Sequence, residues 1–267
     1  MSKSKIFIPL AALAIPAGAL LLLRGDGLTF INLPGLVLVL GGTLVASIIG
    51  HGVDPVQGLL RRIPHILRQP VEVGFADRRA FVRVAQAHRR GDLRGAERAL
   101  GELEDPFLEA GARLALDPQQ GPELARLLQW RIRDQKERDQ RDVRILGTMA
   151  SFAPAFGMLG TLFGLISLLQ GLGHSGLGEM GVAMGFALLS TLYGLVAANL
   201  LFKPVAIKLE DRSRQRLAWM SFLLEALVML YERRHPLVID EYLNSHEALP
   251  EAPPEAGSAP VALLERA

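Results

Sequence analysis

The sequence predicts an all-α integral membrane protein with four transmembrane helices and a helical cytoplasmic domain. Three observations carry that prediction. Residues 149–170 and 180–202 are uncharged apolar spans, and a membrane-crossing helix takes roughly 20 apolar residues. Two further apolar runs, at about 6–23 and 30–49, stand near the start. Between the two pairs lies a charged stretch, 51–148, in which apolar residues recur at helical spacing.

The run at 6–23 follows Lys3 and Lys5, which is also how a secretory leader begins. Pro9 and Pro16 inside it, no small-residue cleavage pattern after it and a hydrophilic Arg24-Gly25-Asp26 turn favour a span. With the second run at 30–49, residues 1–50 form the first pair of spans. Four spans place both termini on one side. Of the 29 Lys and Arg, only Arg24 falls in the short loops 24–29 and 171–179. Lys3, Lys5, Arg61, Arg62, Arg141, Arg144, Lys203 and Lys208 flank the other ends of the spans. The excess of positive charge on the cytoplasmic side then puts the termini and the long insert in the cytoplasm.

In the insert, Phe81, Val84 and Ala85, then Leu93, Ala96, Leu100 and Leu103, repeat with a helical period. Gly91, Gly101, Pro106, Pro118 and Pro122 punctuate it. Several short helices are expected, then a long one from about Pro122 running into the third span. The alternating charges of Arg131 to Arg144 suit a solvated helix leaving the membrane. The second pair of spans, within 149–203, is followed by an amphipathic cytoplasmic helix in 204–246, reaching about Arg234. Its apolar part, Leu217 to Tyr231, is interrupted by Glu225 and is too short and polar to cross. From 247 to 267 the chain is rich in Pro, Ala and Glu, the composition of a disordered tail.

No cysteine is present, which removes disulfides and thiolate chemistry. No phosphate-binding glycine loop, zinc helix motif or Ser/His/Asp arrangement occurs. The histidines, His51, His65, His88, His174, His235 and His246, are scattered. The chain therefore reads as no enzyme, with no catalytic residues, no cofactor and no permanent metal. A net charge of +2 makes no field for nucleic acid. Any work it does draws on an ion gradient or a partner.

The later spans are not ordinary lipid anchors. One carries Pro154, Gly157, Gly160, Thr161 and Gly164, the other Gly185, Ser190, Thr191, Gly194 and Ala198. Helical spacing puts Pro154, Gly157, Met158, Thr161 and Gly164 on one face, and Ala187, Thr191, Gly194 and Ala198 on another. Two readings of Thr161, Ser190 and Thr191 stand. Their oxygens can replace part of an ion's water shell, or their hydroxyls can bond backbone carbonyls and hold helices together. Pro154 and Pro204 likewise read as hinges or as fixed kinks. Neither span holds a charged side chain. An ion relay at depth normally needs a carboxylate, so a partner must bring it.

These residues resemble the MotA/PomA family of flagellar stator A subunits, within the MotA/TolQ/ExbB superfamily. The run Ala153-Pro-Ala-Phe-Gly-Met-Leu-Gly-Thr-Leu-Phe-Gly-Leu165 is similar to that family's third span. Residues 187–209, ALLSTLYGLVAANLLFKPVAIKL, resemble its fourth span and exit. Residues 32–43 resemble its second span, and 235–243 its C-terminal end. The resemblance implies a bacterial inner-membrane subunit of an ion channel that couples sodium or proton flow to flagellar rotation. It implies five copies around two copies of a MotB/PomB-like one-span partner carrying the ion-binding aspartate, all in the lipid bilayer. It implies an ion path at Gly157, Thr161, Ser190 and Thr191, with transient sodium at Thr161 and Thr191, and conformational coupling at Pro154 and Pro204. It also implies contact between Arg89, Arg90 and Glu97 and the switch-ring protein FliG, making 51–148 the torque-generating insert. Arg94 and Arg98 are additional charges there. Thr161 and Thr191 together favour sodium. The alternatives are a TolQ/ExbB-like energy-transducing subunit without a flagellar role, and a membrane scaffold that conducts nothing.

Overall fold

Asn32 caps the first helix of the described chain. Its side-chain oxygen accepts from the Gly35 N–H at 3.0 Å, and Pro34 occupies the first turn of α1 (Leu33–His51). The computed structural model describes residues 32–68, 77–117, 123–172 and 176–247. The predicted span at 6–23 and the tail 248–267 lie outside them.

Every regular element among the described residues is helical. After α1 come α2 (Val53–Arg68), α3 (Arg78–Arg90), α4 (Leu93–Leu100) and α5 (Pro106–Leu116). Then follow α6 (Leu124–Gly171), α7 (Leu177–Val196), a π-helical turn (Ala197–Phe202), α8 (Lys203–Tyr231) and α9 (Pro236–Glu247). Three described segments are long and apolar enough to cross a membrane, within Leu33–His51, Leu124–Gly171 and Gly178–Tyr231. The long helix expected from Pro122 begins at Leu124 and passes through the polar stretch into the apolar one without a break. Within 204–246 the expected single helix is two. Arg233, at φ 54, turns the chain, and Pro236 opens α9.

The chain divides into two compact units. One holds residues 32–68 and 141–209, the other 77–140 and 210–247. In the first, α1 buries Gly35, Val39, Thr43 and Ser47, four residues apart on one stripe. The Thr43 hydroxyl donates to Val39 O at 2.6 Å and Ser47 to Thr43 O at 2.8 Å, so neither leaves an unpaired proton in apolar surroundings. Val56 and Leu59 of α2 pack with Ile145, Leu146 and Met149 of α6 and with Phe202 and Val205. Beside this core Arg62 meets Asp142 at 3.0 Å.

In the second unit, short capped helices wrap one apolar core. Gly91, at φ 72, closes α3 in a left-handed conformation that suits glycine. Asp92 caps α4, and Asp105 caps α5 by accepting from Phe107 and Leu108 N–H. The core joins Phe81 and Val84 to Leu128, Trp219, Leu223, Leu227, Ile239 and Leu243. Asp77 is a buried carboxylate that accepts from Glu104 N–H at 2.9 Å and Asp105 N–H at 2.7 Å. Asp77→Ala orphans both backbone donors, at about 1–3 kcal/mol each. Thermal unfolding of the detergent-solubilised protein should lose about 2–6 kcal/mol, with Asp77→Asn losing roughly half. An unchanged melting curve for Asp77→Ala would remove this tie from the fold's support.

Candidate functional site

Small residues let α6 and α7 touch backbone to backbone. A Cβ added at Gly157 would lie 3.0 Å from Ser190 O and 3.2 Å from Thr191 Cα. One added at Gly194 would lie 2.6 Å from Ala153 O, and one at Gly164 would lie 2.6 Å from Ala187 Cβ and 2.8 Å from Ala183 O. The seam therefore runs along Ala153, Gly157, Gly160 and Gly164 against Ala187, Ser190, Thr191 and Gly194. This corrects the expected face. Met158 is 60% exposed and lies off the seam, and Gly160 takes its place. The readable signal was the run of glycines and alanine at three- and four-residue spacing, with no large side chain among them.

The seam carries two hydroxyls that converge on one carbonyl. Ser190 Oγ lies 2.9 Å from Ala187 O and 3.5 Å from Gly157 O. Thr191 Oγ1 lies 3.3 Å from Gly157 O and 3.5 Å from Ala187 O. Each hydroxyl has one proton to donate and keeps lone pairs. Ser190 is fully buried and Thr191 half-buried. Thus Gly157, Ser190 and Thr191 lie together in the seam. Thr161 sits one turn along α6 from Gly157, half-buried, and its hydroxyl donates to its own helix at Met158 O, 2.6 Å away. The cluster holds oxygen atoms and no charge. It can ligate a small cation weakly, and it can join two helices.

Pro154 adjoins the seam, and Pro204 lies beyond its end. Pro154 lies within α6, its Cα 3.2 Å from a Cβ placed on Gly194. Pro204 follows the π-helical turn, where Lys203 N–H donates to Ala198 O, five residues back. A proline has no N–H to give and crowds the preceding turn, and a π turn widens the helix there. In that turn Asn199 donates to Leu195 O at 3.0 Å and accepts from Lys203 Nζ at 2.9 Å. Neither the π turn nor a bond from Asn32 N–H to the Tyr193 hydroxyl, 2.7 Å, was read from sequence. The latter ties the start of α1 to α7 across 161 residues, a separation at which no local pattern signals a partner.

The charged trio lies on the second unit. Arg89 and Arg90 end α3, and Glu97 stands within α4, all exposed. Gly91 separates them, so Arg89 and Glu97 are not two turns apart on one helix. Arg89 and Arg90 line a groove shared with Arg79, Arg83, His235 and Asp240. Arg78 grips Asp240 through both guanidinium arms at 2.8 and 3.0 Å. Those hydrogen bonds, outweighing slight desolvation, hold the Asp240 carboxyl below its usual range. Burial first, and Arg233 second, lower the His88 imidazole from its ordinary value. Burial and a hydrogen bond to Glu225 push the Tyr242 hydroxyl well up, so it remains a donor.

The profile of the MotA/TolQ/ExbB proton channel family matches residues 100–221. The chain is 29% identical over 230 residues to the protein YtxD of Bacillus subtilis, covering 83% of this chain and 82% of that one. It is 34% identical over 164 residues to motility protein A of Borreliella burgdorferi, covering 61% and 62%. Its fold matches a chain in the structure of the flagellar MotAB stator complex from Bacillus subtilis. The TM-score is 0.76 at 23% identity, over 94% of this chain and 96% of that chain.

Proposed function

Because this chain belongs to the MotA/TolQ/ExbB proton channel family, we propose that it is the A subunit of an ion-driven flagellar stator. It works in a bacterial inner membrane with both termini cytoplasmic. Five copies surround a MotB-like one-span partner that brings the ion-binding aspartate. Gly157, Thr161, Ser190 and Thr191 border the ion path, Pro154 and Pro204 transmit its conformational changes, and Arg89, Arg90 and Glu97 meet the switch ring.

One observation carries this reading: an oxygen-bearing seam with no Asp, Glu, Lys, Arg or His in residues 149–170 or 180–202. Hydroxyl and carbonyl oxygens can stabilise a passing cation but cannot hold a titrating proton at neutral pH. A buried charge costs at least ~2.5 kcal/mol at the centre of a span, so the partner's aspartate is the group that conduction requires. Cells expressing this chain alone should therefore show no proton or sodium leak, and co-expression with the one-span partner should restore swimming. Rapid acidification without the partner refutes the two-subunit reading. Swimming unaffected by deletion of this chain, with a defect in envelope maintenance instead, assigns it to the TolQ/ExbB branch.

The exposed trio has a separate test. Arg89→Glu or Glu97→Lys should impair torque and leave membrane assembly intact. Exposed pairs contribute only about 0–1 kcal/mol to stability, while docking and steering are electrostatic and salt-sensitive. Fluorescent stator recruitment and swimming speed read the two effects apart. Normal swimming in both variants assigns these residues to solvation.

A further inference from the structure

The groove of the second unit is a cation-rich slot of about 1200 Å³ between α3 and the start of α9. Arg78, Arg79, Arg83, Arg89 and Arg90 line it against one carboxylate, Asp240. Asp240 is engaged by Arg78, and Arg83 pairs with Glu102 outside the lining. Among the described residues the lining therefore offers no carboxylate to Arg79, Arg89 or Arg90. Its wall also has an apolar side, made by Val82, Pro236 and a 71% exposed Leu237. Among the described residues no Phe, Tyr or Trp lines it. The slot suits an acidic peptide with apolar residues.

This chain contains one. Helix α9 starts at the groove and ends at Glu247, about 18 Å away along its axis. Beyond it, residues 248–267 carry Glu251, Glu255 and Glu265 against Arg266, with Val261, Leu263 and Leu264. Twenty residues extend up to roughly 66–72 Å, ample to double back. Pro250, Pro253, Pro254 and Pro260 oppose helix and favour an extended path. At ~3.1 Å per residue such a path sets Glu251 and Glu255 about 12 Å apart. Arg83 and Arg90 are separated by about 10 Å along α3, and Arg79 and Arg89 by about 15 Å. The excess of acid is small, but a short tether holds the segment near millimolar concentration.

We propose that residues 248–267 dock into this groove as an extended acidic peptide and cover its arginines. The docked segment competes with any acidic protein surface for Arg89 and Arg90. Docking itself does not depend on the stator assignment; only its consequence as a brake on rotor contact does.

The absence of cysteine permits a direct test in membranes containing the full chain. Gln86→Cys in the groove, paired with Ala252→Cys, makes the only two thiols. The control pairs Ala252→Cys with Gln215→Cys, exposed on α8 outside the groove. Under mild oxidation the groove pair should form an intrachain disulfide about tenfold faster than the control. Adding Glu251→Lys and Glu255→Lys should return it to the control rate. So should 1 M salt, where the screening length is ~3 Å. Equal rates for the two pairs, or a fast rate indifferent to charge reversal, overturn the proposal. Disulfides only between chains overturn it too, giving the groove to a second copy's segment. The readout needs no swimming, so a failed motility phenotype leaves this result intact and bears on the stator reading alone.

Discussion

Gly194→Ala is expected to destabilise the span pair by about 1–3 kcal/mol and to abolish swimming. The added Cβ would sit 2.6 Å from Ala153 O and 3.2 Å from both Gly157 Cα and Pro154 Cα. All three are backbone atoms, so no rotamer change relieves the overlap, and α6 and α7 must move apart. Alanine gains about 1 kcal/mol over glycine in helix propensity, too little to offset a shifted helix. Separation also draws Gly157 O away from Ser190 and Thr191, whose hydroxyls already reach it only at 3.5 and 3.3 Å. Gly185→Ala is the control, because its Cβ would meet nothing within 4 Å in this chain. There the propensity term stands alone, and stability should rise by up to ~1 kcal/mol. Melting of the detergent-solubilised chain, with swimming speed beside it, compares the two. Equal stability in Gly194→Ala and Gly185→Ala would mean that the backbones are not in contact.

The three long apolar helices among the described residues were legible because composition reports them directly: apolar length and absence of charge need no partner to be seen. So was the continuation of α6 through Arg131 to Arg144, where charges alternate but no Gly or Pro breaks the helix. The face of the seam was misjudged at one residue, since Met158 follows Pro154 by four positions and Gly160 follows Gly157 by three, so each falls near a helical repeat. Choosing between them takes knowledge of how close the neighbouring backbone comes. Contacts set by distant chain were invisible. Asp77 looks like a surface acid, yet it binds two amides 27 and 28 residues later. The basic groove was equally hidden, because the amphipathic helix was expected to reach only about Arg234 and nothing beyond it gave the start of α9 a reason to face α3. The π turn before Pro204 rests on a five-residue hydrogen bond that apolar patterning does not encode.

Thr191→Ala is expected to raise the sodium concentration for half-maximal swimming speed about tenfold, equivalent to ~1.4 kcal/mol at the ion site, with little loss of stability. The geometry separates the two effects. Its hydroxyl sits 3.3 and 3.5 Å from the Gly157 and Ala187 carbonyls, well beyond the 2.7–2.8 Å typical of strong hydroxyl bonds. As helix glue it is weak, near the ~0.6 kcal/mol average for hydrogen bonds between spans. As a cation ligand it is well suited, since its oxygen keeps lone pairs and is half-buried beside a second hydroxyl. Thr191→Ser keeps the oxygen and should preserve the wild-type curve, which excludes a simple packing effect. The driving force is unchanged, because about 2.3 kcal/mol per charge per 100 mV comes from the membrane potential. Speed is measured against sodium at fixed pH, then against pH at fixed sodium. A sodium-coupled protein shifts only the first curve. Wild-type speed indifferent to sodium assigns the protein to proton coupling. If Thr191→Ala follows wild type in both titrations, the hydroxyl serves only to join α6 and α7, and the ion path lies elsewhere.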